Sequence, residues 1–167
     1  MISCGDSGSL VQFDVTYNLP RVYFNYPSTS LIRSDELILY TGEAKINLDS
    51  ILSVNKIPEG LIKSAYFSRF AMTITNPPEA DFNWLQSAKV LVSKNSSIDP
   101  NAELAYIDTI NPGSKILNMK VNDVNLISYM NDTTFYYQLR GTPSGVLPYP
   151  MVSIYIDLQV KLHIEAF

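Results

Sequence analysis

The sequence predicts an all-β fold: an antiparallel β-sandwich of about nine strands with one or two short helical turns. Three observations predict it. Apolar and polar residues alternate with period two in several segments, which is the mark of a strand with one buried face. Turn signals built on Asn, Pro and Gly recur roughly every ten residues. No long stretch carries the 3.6-residue period of an amphipathic helix. A closed barrel is the competing all-β arrangement.

The last segment is the clearest. From Val152 to Ile164, seven apolar residues alternate with Ser153, Tyr155, Asp157, Gln159, Lys161 and His163 without an error. Such a strand far exceeds the usual five or six residues, so a bend, a bulge or a crossing between sheets is expected. At the other end of the chain Val11, Phe13, Val15 and Tyr17 alternate with Gln12, Asp14, Thr16 and Asn18, and Asn18-Leu19-Pro20 turns the chain. Val22 to Tyr26 is aromatic and β-prone and stops at Pro27. Glu36 to Thr41 reads as a short strand with a turn at Gly42. Ser64 to Thr75 alternates with Tyr66, Phe70, Met72 and Ile74 on one face, and Asn76-Pro77-Pro78 ends it. Ala88 to Ser93 places Ala88, Val90 and Val92 inward. Leu104 to Asp108 and Lys115 to Val121 pair around Asn111-Pro112-Gly113-Ser114, and Thr134 to Arg140 precedes a long loop, Gly141 to Pro150.

Two segments space their apolar residues three and four apart, Asn47 to Val54 and Asn122 to Met130. Each begins with Asn, which accepts hydrogen bonds from the first free N–H groups of a helix. Each is expected to form one or two helical turns.

The chain has 167 residues and a net charge of −4, with 46% hydrophobic and 17% charged residues, one His and one Cys. This length and composition fit one domain, residues 10–167, after a Gly/Ser-rich tether over 1–9. The acidic balance disfavours nucleic acid, which demands a basic face. A single Cys forms no internal disulfide. His163 sits on the polar face of its strand, away from any sequence-adjacent nucleophile, and zinc lacks a ligand set. No phosphate-binding glycine loop and no EF-hand loop occur. Asp99, Asn101, Glu103 and Asp108 cluster near Pro100 and leave oxygen-ligated calcium open. No enzyme activity and no cofactor are expected.

Aromatic residues are the abundant resource. Phe82 and Trp84 lie in a loop and are candidates for stacking a sugar or plugging one end of the fold. Val146, Leu147 and Tyr149 lie in the Pro/Gly-stiffened loop and are candidates for contact with a protein partner.

Met1-Ile2-Ser3-Cys4 followed by Gly5-Asp6-Ser7-Gly8-Ser9 resembles the end of a bacterial lipoprotein signal peptide. That resemblance implies a truncated signal peptide, with Cys4 lipidated and anchoring the domain to a membrane through lipid alone. Asn47 to Phe167, with its cap-and-turn segment, its strand ending Thr75-Asn76-Pro77 and its Phe82/Trp84 turn, is similar to β-sandwich domains of Bacteroidota cell-envelope lipoproteins. Three tripeptides that begin Asp49-Ser50, Asp108-Thr109 and Asp132-Thr133 look like the O-glycosylation motif of such proteins. The resemblance implies an outer-membrane-anchored protein that binds an envelope partner or serves in assembly. A carbohydrate-binding module is the alternative.

Overall fold

A computed structural model describes residues 11–28, 35–95, 97–99 and 102–166. Cys4 and the tether lie outside the described residues, as do Pro100 and Asn101 of the acidic cluster. The chain is all-β and antiparallel. Its strands are β1 (Val11–Asn18), β2 (Val22–Pro27), β3 (Leu37–Lys45), β4 (Gly60–Asn76), β5 (Leu85–Ser93), β6 (Glu103–Ile107), β7 (Ile116–Val121), β8 (Thr134–Pro143) and β9 (Met151–Ala166). Among the described residues there are also one helix, α1 (Leu48–Val54), and one 3-10 turn (Leu126–Tyr129).

The strands form one curled sheet in the order β1-β9-β4-β7-β6-β5-β8-β3, and β2 continues the β1 edge along β9. The curl turns at β7. Its residues Ile116 to Met119 pair with β4, and Lys120 and Val121 pair with β6. Side chains from β4 therefore meet side chains from β8: Phe67 lies 5.9 Å from Phe135, and Phe70 lies 6.4 Å from Tyr137, ring centre to ring centre. Burying each such ring contributes about 1.5–3 kcal/mol, and these rings with Ile154, Ile156, Val160 and Leu162 make the core.

The long last strand stays regular. Its alternation of buried and exposed residues runs unbroken from Val152 to Ala166. The expected irregularity sits in its partner: β4 shifts register against β9 between Ile62 and Ser64, between Phe67 and Arg69, and between Ile74 and Asn76. Each shift leaves one extra residue on β4, which lets a long strand bend without losing its partner. The shift at Ser68 also corrects an expectation. Tyr66 does not share the inward face with Phe70; Phe67 does, and Tyr66 lies half-buried on the other side.

Gly42 lies inside β3, where a turn was expected. The Tyr40 ring covers it, and a Cβ there would stand 2.6 Å from Tyr40 Cε1. A glycine lets that ring lie flat along its own strand. Gly113, by contrast, is a turn glycine with φ of 76°.

The helical turns form as predicted, with one change of cap. Asn47 Oδ1 accepts the Ser50 N–H at 3.0 Å at the start of α1. The second turn is capped by Asn125, whose Oδ1 accepts the N–H groups of Ile127 and Ala65, both at 3.2 Å. Asn122 instead donates to the backbone oxygen of Glu103 at 3.0 Å and to its Oε1 at 3.2 Å. Just past the end of β7, Asn122 thus ties that strand to β6, with its N–H also donating to Leu104 at 2.8 Å.

Candidate functional site

Three places gather the residues that could act. The first is the end of the sheet where the 77–85, 108–115 and 143–151 connections meet. Asp81 accepts both the backbone N–H and the side-chain N–H of Asn83, at 2.9 Å each. Asn83 Oδ1 accepts the Gly113 N–H at 2.8 Å, and Phe82 N–H donates to Ser114 at 2.8 Å. These bonds fix the 81–85 turn so that Phe82 and Trp84 point inward. Phe82 is fully buried, and Trp84 is 4% exposed. Trp84 stacks on Tyr26 at 5.3 Å with the rings 9° from parallel. Neither ring leaves a free face, so sugar stacking on Phe82 or Trp84 is corrected to a plug at this end of the core. The Trp84 Nε1–H is buried without a partner among the described residues.

The loop from Ser144 to Pro150 splits the second set of candidates. Leu147 is buried against the core, which removes it from contact with a partner. It works as the loop's anchor, helped by Ser28, whose N–H donates to Pro150 and whose Oγ donates to the Leu147 carbonyl. Ser144 N–H donates to the Trp84 carbonyl at 2.9 Å. Val146 remains on the surface at 46% exposed, Met151 at the start of β9 is 47% exposed, and Tyr149 is half-buried. An apolar tip thus stands on a pinned base.

The outer faces of the sheet form the third set, and sequence reasoning passed over them. Along β9 the polar residues are tied across to β1, β2 and β4. Arg21 binds Asp157 through two nitrogens, at 2.8 and 3.3 Å, with its guanidinium 4.0 Å above the Tyr155 ring. Gln159 donates to Asn18 at 2.8 Å, Ser153 donates to Asn25 at 2.8 Å, and Ser68 donates to Gln159 at 3.0 Å. His163 Nδ1 lies 2.9 Å from Asp14, and Lys161 Nζ lies 3.2 Å from it. Hydrogen bonds from His163 and then Lys161 hold the Asp14 carboxyl below its ordinary range. The single histidine is therefore a rung in this ladder.

The other outer face, over β3, β8, β5 and β6, carries a cleft. Arg140 and Lys89 stand opposite each other in register, and Tyr106 stands opposite Lys89 on its other side. Both cations lean toward Glu36, at 3.1 Å from Arg140 Nη1 and 2.8 Å from Lys89 Nζ. Gln138, only 8% exposed, accepts the Arg140 Nε–H at 2.6 Å and donates to Thr41 Oγ1 at 3.1 Å. Partial burial raises the Glu36 carboxyl, but the bonds from Lys89 and Arg140 outweigh it and hold it below its ordinary range. The lean leaves a cleft of about 240 Å³ between the Lys89/Arg140 wall and a second wall of Glu103, Tyr106 and Asp108. A sequence signal existed: Lys89 interrupts an apolar run, and Gln138 and Arg140 share one strand face.

Among the described residues, no group of three or more His, Cys, Asp and Glu is placed to hold a metal ion. No described helix is long and apolar enough to cross a membrane. Ser50 and Thr109 of the tripeptide motifs are exposed, and Thr133 is half-buried.

No protein-family model matches the chain, and no curated protein matches it. Among solved structures, one titled Desmodium yellow mottle tymovirus is similar with a TM-score of 0.31 and 12% identity, covering 87% of each chain. Similarity at that level carries no argument about fold or function.

Proposed function

We propose that this protein is a non-enzymatic, lipid-anchored subunit of the bacterial cell envelope, with a β-sandwich domain that binds or assembles with an envelope protein. The observation that carries the reading is the exposed Val146 on a loop held at both ends by hydrogen bonds. Exposed apolar residues on a mobile loop would lose ordering entropy on contact, whereas this loop is already pinned by Leu147, Ser28 and Ser144. Tyr149 flanks the tip and supplies a half-buried aromatic edge. The sandwich reading is supported by the contacts of β4 with β8 across the core and by the passage of β7 between partners. The envelope address is supported by Met1-Ile2-Ser3-Cys4 and the Gly/Ser stretch after it.

The test has two arms on the protein with its native N-terminal region, expressed in a Bacteroidota host. Metabolic labelling with an alkyne fatty acid should mark the wild type, and Cys4→Ser should lose both the label and the membrane fraction. A photocrosslinker at Val146 should then capture an envelope protein that the same probe at Lys161 does not. Unlabelled protein in the cytosolic fraction would contradict the address. Equal capture from both positions would contradict the tip as the docking site.

A further inference from the structure

The outer face over β5 and β8 carries a cleft with charges of both signs. Two cations share one carboxylate on its first wall, and Arg140 is held from the side by the buried Gln138 on the same strand face. Arg140 spends Nε on Gln138 and Nη1 on Glu36, which leaves the Nη2 hydrogens for another acceptor. Lys89 has three N–H donors, and Glu36 is its ion-pair partner. The opposite wall has the opposite sign. Glu103 is held there by Asn122 at 3.2 Å. Among the described residues Asp108 makes no ion pair within 4 Å, and its charge, after the bond to Tyr106, helps raise the Lys120 ammonium. Tyr106 shares that wall, half-buried, with Lys120 Nζ 5.6 Å from its ring centre.

We propose that this cleft binds a small zwitterion of the α-amino-acid class, its carboxylate on Lys89 and Arg140 and its ammonium group toward Asp108. Charge complementarity selects the class. A simple anion meets the acidic wall, a simple cation meets the basic wall, and a ligand carrying both charges a few ångströms apart satisfies each. The carboxylate of the ligand supplies the second negative charge that two cations around Glu36 call for, and bidentate guanidinium geometry favours a planar carboxylate. The volume of about 240 Å³ is below the ~300 Å³ at which drug-sized sites begin, which fits a ligand of this size. The site is independent of the apolar tip and of the envelope address.

Calorimetric titration of the purified protein separates this reading from a purely structural ion network. The probes are glycine and L-alanine as zwitterions, acetate as the anion alone and methylammonium as the cation alone. Both amino acids should bind about tenfold or more tightly than acetate or methylammonium. Asp108→Asn, remote from the Glu36 network, should weaken glycine by about tenfold without weakening acetate, while Lys89→Met should weaken both. Thermal melts check that each variant folds, and Asp108→Ser replaces Asp108→Asn if that variant melts early. No binding of either amino acid at about 10 mM, equal binding of acetate and glycine, or an unchanged glycine affinity in Asp108→Asn would each overturn the proposal.

Discussion

The two outer faces of the sheet are built from the same kind of polar strand residue, and they end up as different surfaces. The face along β9 is a ladder in which the register with β1 and β2 runs without a shift. Opposite residues meet directly there, and Asp14, His163, Asp157 and Arg21 find partners across the strands. The face over β5 and β8 is flanked by shifts between Leu85 and Ser87, between Val90 and Leu91, and between Ile38 and Tyr40 on β3. β9 meets β4 through three shifts as well, so register alone does not separate the two faces. Pairing does: on the β9 face the polar groups satisfy one another across the strands, whereas over β5 and β8 two cations lean toward one carboxylate beside a cleft. The first surface stabilises the sheet, and the second is shaped to receive something.

The largest test of the comparison lies in the bulges themselves. Deleting Ala71, which lies outside the bulges, should abolish the cooperative melt, because it turns Met72 and Ile74 from the core face to the outer face of β4, whereas deleting the bulge residue Ser68 should keep them inward and cost far less. Next in size, Phe67→Ala should cost about 3–5 kcal/mol in denaturant unfolding, and Tyr66→Ala only about 0.5 kcal/mol, although the two are neighbours. Equal costs would mean that the slip at Ser68 is absent. Gln138→Ala should cost about 1–3 kcal/mol, since it unties Arg140 and Thr41 beside the cleft. Asp14→Asn, on the ladder, should leave the melting temperature within error because its partners are well exposed.

The acid limb of a pH titration gives the smallest effect. The Glu36 and Asp14 carboxyls both lie below their ordinary range in the folded state. A depressed carboxyl contributes stability in full above the unfolded value, about pH 4, and loses it as the pH falls through the folded value. Glu36→Gln should therefore flatten part of the acid limb of the stability curve, and Asp14→Asn should flatten it less because water screens that pair more.

Much of the fold was legible in the sequence. β9, β1 and β5 announced themselves through strict alternation, and α1 through Asn47 and its spacing. The errors share a physical origin. Alternation shows which residues share a face only while the register is unbroken, so Ser68 hid the inward turn of Phe67. A glycine signals freedom without naming its use, so Gly42 read as a turn when it makes room for Tyr40. Asn122 and Asn125 are equally good caps, and only the tertiary partners decide between them: the Asn122 side chain is taken by Glu103, while Asn125 meets Ile127 and Ala65. The candidate site was less legible. Leu147 and Val146 are adjacent and similar, yet one is an anchor and the other is exposed; that depends on Ser28, more than a hundred residues away. The cleft needed Glu36, Lys89, Glu103 and Arg140 to meet from four separate segments, which no local pattern reports.

The contrast between a structural face and a receiving face is tested most directly by amide chemical-shift mapping of the isotopically labelled protein during titration with glycine. The account predicts shifts that saturate and centre on Lys89, Tyr106, Asp108 and Arg140, with the rungs at Asp14, Asp157 and His163 unmoved. Shifts centred on the β9 ladder, or no saturable shifts on either face, would contradict it.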